Sequence, residues 1–120
     1  ILSPTRELAI QIVDHLKALA KYTKIYTVPI IGGIALPKQE RLLSKGPQIV
    51  VATPGRLHEF LTAQREFLSF DKLRMLVFDE ADKMIEKGRF EELQSILRLI
   101  YAARFVFPCL PTLTIQCQIC

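Results

Sequence analysis

Asp79 and Glu80 stand side by side at the end of an apolar run, Met75-Leu76-Val77-Phe78, and Asp82 follows two residues later. Carboxylates so placed suit a division of labour. One acid can hold a Mg²⁺ ion through water, because Mg²⁺ needs few protein ligands when phosphates fill the rest of its shell. Its neighbour can orient or deprotonate an attacking water. An acidic first helical turn complementing the helix dipole accounts for the same residues without any chemistry. Three other clusters bear on the choice. Pro4-Thr5-Arg6-Glu7-Leu8-Ala9 combines a hydroxyl, a helix start and a guanidinium, which together receive a phosphate. Thr53-Pro54-Gly55-Arg56 repeats that combination, and Gly32-Gly33 lacks the Cβ atoms that keep another backbone away. Contacts of this kind position a nucleic-acid strand by phosphate and sugar without reading its bases. Singly, each cluster also reads as ordinary structure: a capped helix with a salt bridge, a turn, a proline-opened helix.

Elements must hold these residues in place. Residues 73–78 read as a strand buried on both faces, as in parallel sheets. Asp79 and Glu80 then fall at its carboxyl end, where open α/β sheets bind ligands. Residues 5–20 carry Leu8, Ile12, Leu16 and Leu19 at helical spacing. Residues 24–31 are a β-rich stretch ending at Gly32-Gly33, and 37–43 a short helix opened by Pro37. Residues 48–52 form a second strand, closed by Thr53 as N-cap and Pro54 as first helical residue, so 56–61 are helical. A short helix starts at Glu80. Another spans 90–101, with Phe90, Leu93, Ile96, Leu97 and Ile100 on one face. The alternation predicts an α/β fold with a mostly parallel sheet covered by helices on both faces.

Composition narrows the class. The 120 residues are 50% hydrophobic and 23% charged, which fits at most one core-forming domain. A net charge of +4 leans towards polyanionic partners without identifying one. The apolar runs are too short to span a membrane. Lys72, Lys83, Lys87, Arg89 and Arg98 read as a solvated helix face, with Lys83–Lys87 repulsion offset by Glu86 and Glu91. The odd set Cys109, Cys117 and Cys120 argues against a disulfide framework, and the C-x-x-C of the last two lacks further ligands for zinc. Reduced thiols in an intracellular protein are expected. The opening Ile1-Leu2-Ser3-Pro4, without start methionine or basic leader, reads as part of something longer.

In their order and approximate spacing, Pro4 to Ala9, Gly32-Gly33, Ala52-Thr53-Pro54-Gly55-Arg56-Leu57 and Val77-Phe78-Asp79-Glu80-Ala81-Asp82 resemble the DEAD-box RNA helicases across residues 1 to about 100. The resemblance implies a partial RecA-like domain of the P-loop NTPase type over 1–103, followed by a divergent tail over 104–120. It implies ATP and Mg²⁺ as cofactors. Asp79 would hold the metal through water, Glu80 would orient the hydrolytic water, and Asp82 would couple the ATP site to the RNA-binding elements. Pro4, Thr5, Arg6, Gly33, Thr53, Gly55 and Arg56 would contact the backbone of single-stranded RNA. Members of the family bind RNA and ATP between two RecA-like domains, so a second such domain is an implied partner. The stretch Met84-Ile85-Glu86-Lys87-Gly88-Arg89-Phe90-Glu91-Glu92-Leu93 is similar to a nucleolar branch that assembles the large ribosomal subunit. That likeness implies pre-ribosomal proteins as partners and a nuclear or nucleolar place, with the cytoplasm as the other option, and no membrane.

Two departures temper the expectation. No G-x-x-x-x-G-K-[ST] loop occurs in the chain, and Pro108-Cys109-Leu110 stands where the family has Ser-Ala-Thr. The parent protein is therefore expected to be an ATP-dependent RNA helicase, with this chain inactive in isolation. The alternative is a non-catalytic RNA-binding or interaction fragment.

Overall fold

A computed structural model describes residues 1–63, 70, 72–86 and 90–104. In chain order its elements are α1 (Arg6–Leu19), β1 (Thr27–Ile30), α2 (Leu36–Leu43), β2 (Ile49–Ala52), α3 (Pro54–Thr62), α4 (Ala81–Glu86) and α5 (Phe90–Arg104). The expectations for Cys109, Cys117 and Cys120, for Lys87 and Arg89, and for the tail lie outside the described residues.

β1 and β2 pair in parallel, Thr27 with Ile49 through Ile30 with Ala52. The sheet continues through two parallel bridges, Leu2 with Ala52 and Leu2 with Phe78. Ser3 N–H donates to the Ala52 carbonyl at 2.9 Å, Leu2 N–H to the Val77 carbonyl at 2.8 Å, and Asp79 N–H to the Leu2 carbonyl at 2.9 Å. The spatial order is thus β1, β2, the segment around Leu2, and the segment around Phe78. All four run the same way. The residues that leave them, Gly32, Thr53, Pro4 and Asp79, therefore depart at one edge.

Strand alternation decides which helix each face receives. Ile49 and Val51 point towards α1, clustering with Ala9, Val13 and Ile31. Val50 and Ala52 point the other way, into the larger cluster of Leu2, Val28, Ile30, Leu57, Phe60, Met84, Ile96 and Ile100. Helices thus cover both faces, α1 on one and α3 with α5 on the other. The sealed side chains of Phe60 and Ile96 are each worth about 1.5–3 kcal/mol of transfer free energy.

Three expectations needed correction. The packed face of α1 centres on Ala9 and Val13, flanked by Ile12 and Leu16. At 100° per residue Leu8 and Leu19 fall on its margin, and Leu19 is 81% exposed. Residues 73–78 are not a regular strand buried on both faces: Met75 is 73% exposed, and only Phe78 forms a bridge. Among the described residues its bonds to the sheet come at Val77 and the following Asp79, both on Leu2, while Leu73 N–H donates to the Phe70 carbonyl at 2.9 Å. The helix expected from Glu80 begins one residue later, because Glu80 has φ +51, a left-handed backbone that cannot continue a right-handed helix.

Candidate functional site

At the carboxyl edge, the turns after β1, β2 and Leu2 enclose an open groove of about 580 Å³. Pro4, Thr5 and Arg6 line it from the start of α1, Gly32 and Gly33 from the turn after β1, and Thr53 and Arg56 from the start of α3. Glu7 and Glu59 add acids to its wall. Of the seven residues assigned to RNA from the sequence, six are brought together here, and Gly55 is not among the lining. A Cβ on Gly55 would instead stand 3.4 Å from both carboxylate oxygens of Glu92 on α5. Oε2 of Glu92 is buried with no hydrogen-bond partner among the described residues.

Each wall has a local cause. Thr5 is the N-cap of α1, its Oγ1 accepting from Leu8 N–H at 3.3 Å, so the first turn and Arg6 have a defined start. Thr53 occupies the N-cap of α3, with Pro54 in the first turn, yet its hydroxyl makes no capping bond. The fixed φ of the proline orients that helix start instead. Gly33 has φ +82, and a Cβ there would come within 2.8 Å of Arg6 Nη1. Only glycine is at ease in that conformation, and its bareness lets the Arg6 guanidinium lie across the turn.

The two arginines differ. Arg6 is exposed beside Gly33. Arg56 donates from Nε to the Ile31 carbonyl at 3.2 Å, from Nη2 to the Ile34 carbonyl at 2.7 Å, and from Nη1 to Glu59 Oε2 at 2.7 Å. Its fork is thus engaged with the protein. Sequence reading also missed Gln39, wholly buried on α2, whose amide binds the same two carbonyls. The signal was available: Gln39 shares the apolar phase of α2 with Leu36 and Leu43, at i+3 and i+7.

Asp79 and Glu80 lie at the same sheet edge but outside the lining of the groove. Both are half-buried. Glu80 Oε1 accepts from Lys83 Nζ at 2.7 Å. That hydrogen bond and the charge of Glu80 raise the Lys83 pKa above its ordinary value. Lys83 is thereby a partner of the acidic turn, in keeping with a solvated helix face. Asp82 is exposed in the first turn of α4. No group of three potential metal ligands occurs among the described residues. The pair still suits Mg²⁺, a hard ion that takes one or two carboxylates when phosphates complete its shell.

A parallel α/β sheet covered by helices, with its loops gathered at the carboxyl edge, is the architecture of a RecA-like domain. Known proteins agree. The family profile described as DEAD/DEAH box helicase matches residues 1–115. The chain belongs to the DEAD/DEAH box helicase family. It is 54% identical over 101 residues to DEAD-box ATP-dependent RNA helicase 13 of Oryza sativa subsp. japonica, covering 83% of this chain and 12% of that protein. It is 47% identical over 106 residues to ATP-dependent RNA helicase DDX24 of Mus musculus, covering 88% and 12%. Among solved structures, the yeast DEAD-box splicing factor Prp28 superposes with a TM-score of 0.78 at 35% identity, covering 85% of this chain and 23% of that one. A DEAD box protein from Methanococcus jannaschii superposes with a TM-score of 0.75 at 35% identity, covering 82% and 26%. The chain thus spans about an eighth of the length of the curated relatives quoted.

Proposed function

We propose that this chain supplies the RNA-backbone site and the acidic strand end of an ATP-dependent RNA helicase. The observation that carries the reading is the convergence of Pro4, Thr5, Arg6, Gly33, Thr53 and Arg56 on one groove. In this reading Arg6 offers the charge, the first turns of α1 and α3 offer backbone N–H groups, and Gly33 leaves room for the strand. Gly55 contributes through the backbone of α3. Arg56, with its donors engaged, shapes the groove more than it contacts the phosphate. None of these groups reads a base, so recognition is independent of sequence.

Asp79 would hold Mg²⁺ through water, Glu80 would position the hydrolytic water and Asp82 would link that site to the RNA side. When bound, Mg²⁺–ATP supplies the phosphoryl centre and neutralises its charge. The carboxylates of this chain place the metal and the water. In a longer protein carrying this segment, a second RecA-like domain is the partner across the groove. The likeness over residues 84–93 supports a place in large-subunit ribosome assembly, with pre-ribosomal proteins as partners and a nucleolar location. Among the described residues no helix is long and apolar enough to cross a membrane.

A second reading is favoured by the sequence itself. The groove is assembled within these residues, yet no G-x-x-x-x-G-K-[ST] occurs in the 120. The chain in isolation would then bind RNA without hydrolysing ATP. The purified chain should bind oligo(U) and oligo(A) with similar affinity in an anisotropy titration and lack ATP turnover above a Glu80→Gln control. Binding confined to one sequence, or no binding, contradicts the RNA reading. In a longer protein carrying the segment, Glu80→Gln should abolish RNA-stimulated ATP hydrolysis while ATP still binds; undiminished turnover would sink the catalytic assignment.

A further inference from the structure

Gln39 is fully buried, yet the two polar atoms of its amide make three hydrogen bonds there. Its Oε1 accepts from Ile31 N–H at 3.0 Å. Its Nε2 donates to the Ile31 carbonyl at 3.0 Å and to the Ile34 carbonyl at 2.8 Å. One acceptor thus meets one donor and two N–H groups meet two carbonyls, which fixes the amide orientation: flipped, it would face like with like at all three. Arg56 reaches the same two oxygens from α3, with Nε on Ile31 at 3.2 Å and Nη2 on Ile34 at 2.7 Å. Each carbonyl therefore receives two donors, filling its lone pairs. Beyond β1, Thr53 N–H also donates to the Ile30 carbonyl at 3.1 Å. The turn carrying Gly32 and Gly33 is gripped at both ends by side chains from two other elements.

We infer that Gln39 is a positioning residue for the groove: its amide, with Arg56, holds the Ile31–Ile34 turn so that Gly33 faces the bound strand beneath Arg6. The inference rests on the proposed RNA reading and extends it to a residue that touches no RNA. A buried amide with every group matched is rigid, whereas removing one partner leaves the others desolvated and unpaired. The conformation of Gly33, φ +82 with Arg6 against its face, is the geometry this clamp maintains.

The test uses the full 120-residue chain and Gln39→Met, which keeps length and apolarity but cannot replace the paired bonds. Amide hydrogen exchange should rise about tenfold or more at Ile31, whose N–H loses its Gln39 acceptor, and stay unchanged in β2. Affinity for oligo(U) should fall about tenfold, with the slope of log affinity against log salt unaltered, since no phosphate contact of a cation is lost. The double variant Gln39→Met/Gly33→Ala should bind no worse than the weaker single, because both act through one turn. Weakened binding with the turn still protected overturns the inference, and so does a freed turn with wild-type affinity, or additive losses in the double variant. Should Gln39→Met not fold, Arg56→Lys serves the same purpose. It keeps the charge and loses the fork on the Ile31 and Ile34 carbonyls, and wild-type RNA affinity in that variant overturns the clamp. Absence of RNA binding by the wild-type chain defeats the underlying reading and this inference's functional half together, while exchange at Ile31 still decides whether the clamp exists.

Discussion

The groove and the acidic strand end leave the same edge of one sheet, but they are built differently. The groove draws on three elements, and its turn is held by Gln39, Arg56 and the Thr53 backbone. The acids rest on one bridge to Leu2, a left-handed residue and an exposed ion pair between Glu80 and Lys83. A non-glycine residue with positive φ costs on the order of 1–3 kcal/mol and persists only where surroundings impose it. On the proposed reading, the backbone-binding surface is pre-shaped by its own chain, while the acidic turn would take its final shape from the Mg²⁺–ATP it receives.

Three substitutions can break or sharpen that contrast. Phe60→Ala removes a sealed ring shared by β2, α3 and α5 and should cost about 3–5 kcal/mol in urea unfolding. It should weaken both regions, and a loss confined to either would show that they do not share a core. Gly33→Ala strikes the groove alone. It forces a side chain into a left-handed conformation, costing about 1–2 kcal/mol, and it displaces the flexible end of Arg6. RNA affinity should drop with it, while ATP-dependent properties of the acids in a longer protein should not. Lys83→Met strikes the acids alone and should be the smallest effect, since the pair is exposed. Its pKa is raised in the folded chain, so its contribution is fully present below the ordinary value near 10.5 and is lost as pH rises through the raised value. The variant should melt slightly below the parent at neutral pH and converge with it as pH rises through the raised value.

Much of this was legible beforehand. Apolar β-rich runs and helical spacing located β1, β2 and the five helices among the described residues, because capping at Thr5 and the prolines at 37 and 54 mark helix starts locally. The four signatures fell on one edge because parallel strands permit nothing else. Other features depended on tertiary pairing that no local pattern encodes. The apolar run at 73–78 promised a full strand, but pairing with Leu2 involves only its end. Arg56 looked like a phosphate ligand by type, and its engagement with two loop carbonyls and Glu59 appears only in three dimensions. Gln39 was readable as a polar residue in an apolar phase, yet its partner is eight residues away around a turn.

In the proposed function the groove receives an RNA backbone through Arg6. The most direct measurement is the salt dependence of oligo(U) binding by the chain and by Arg6→Ala. The slope of log affinity against log salt should become shallower by about 0.7, the loss of one single-strand phosphate contact. An unchanged slope in a folded Arg6→Ala chain would contradict the account.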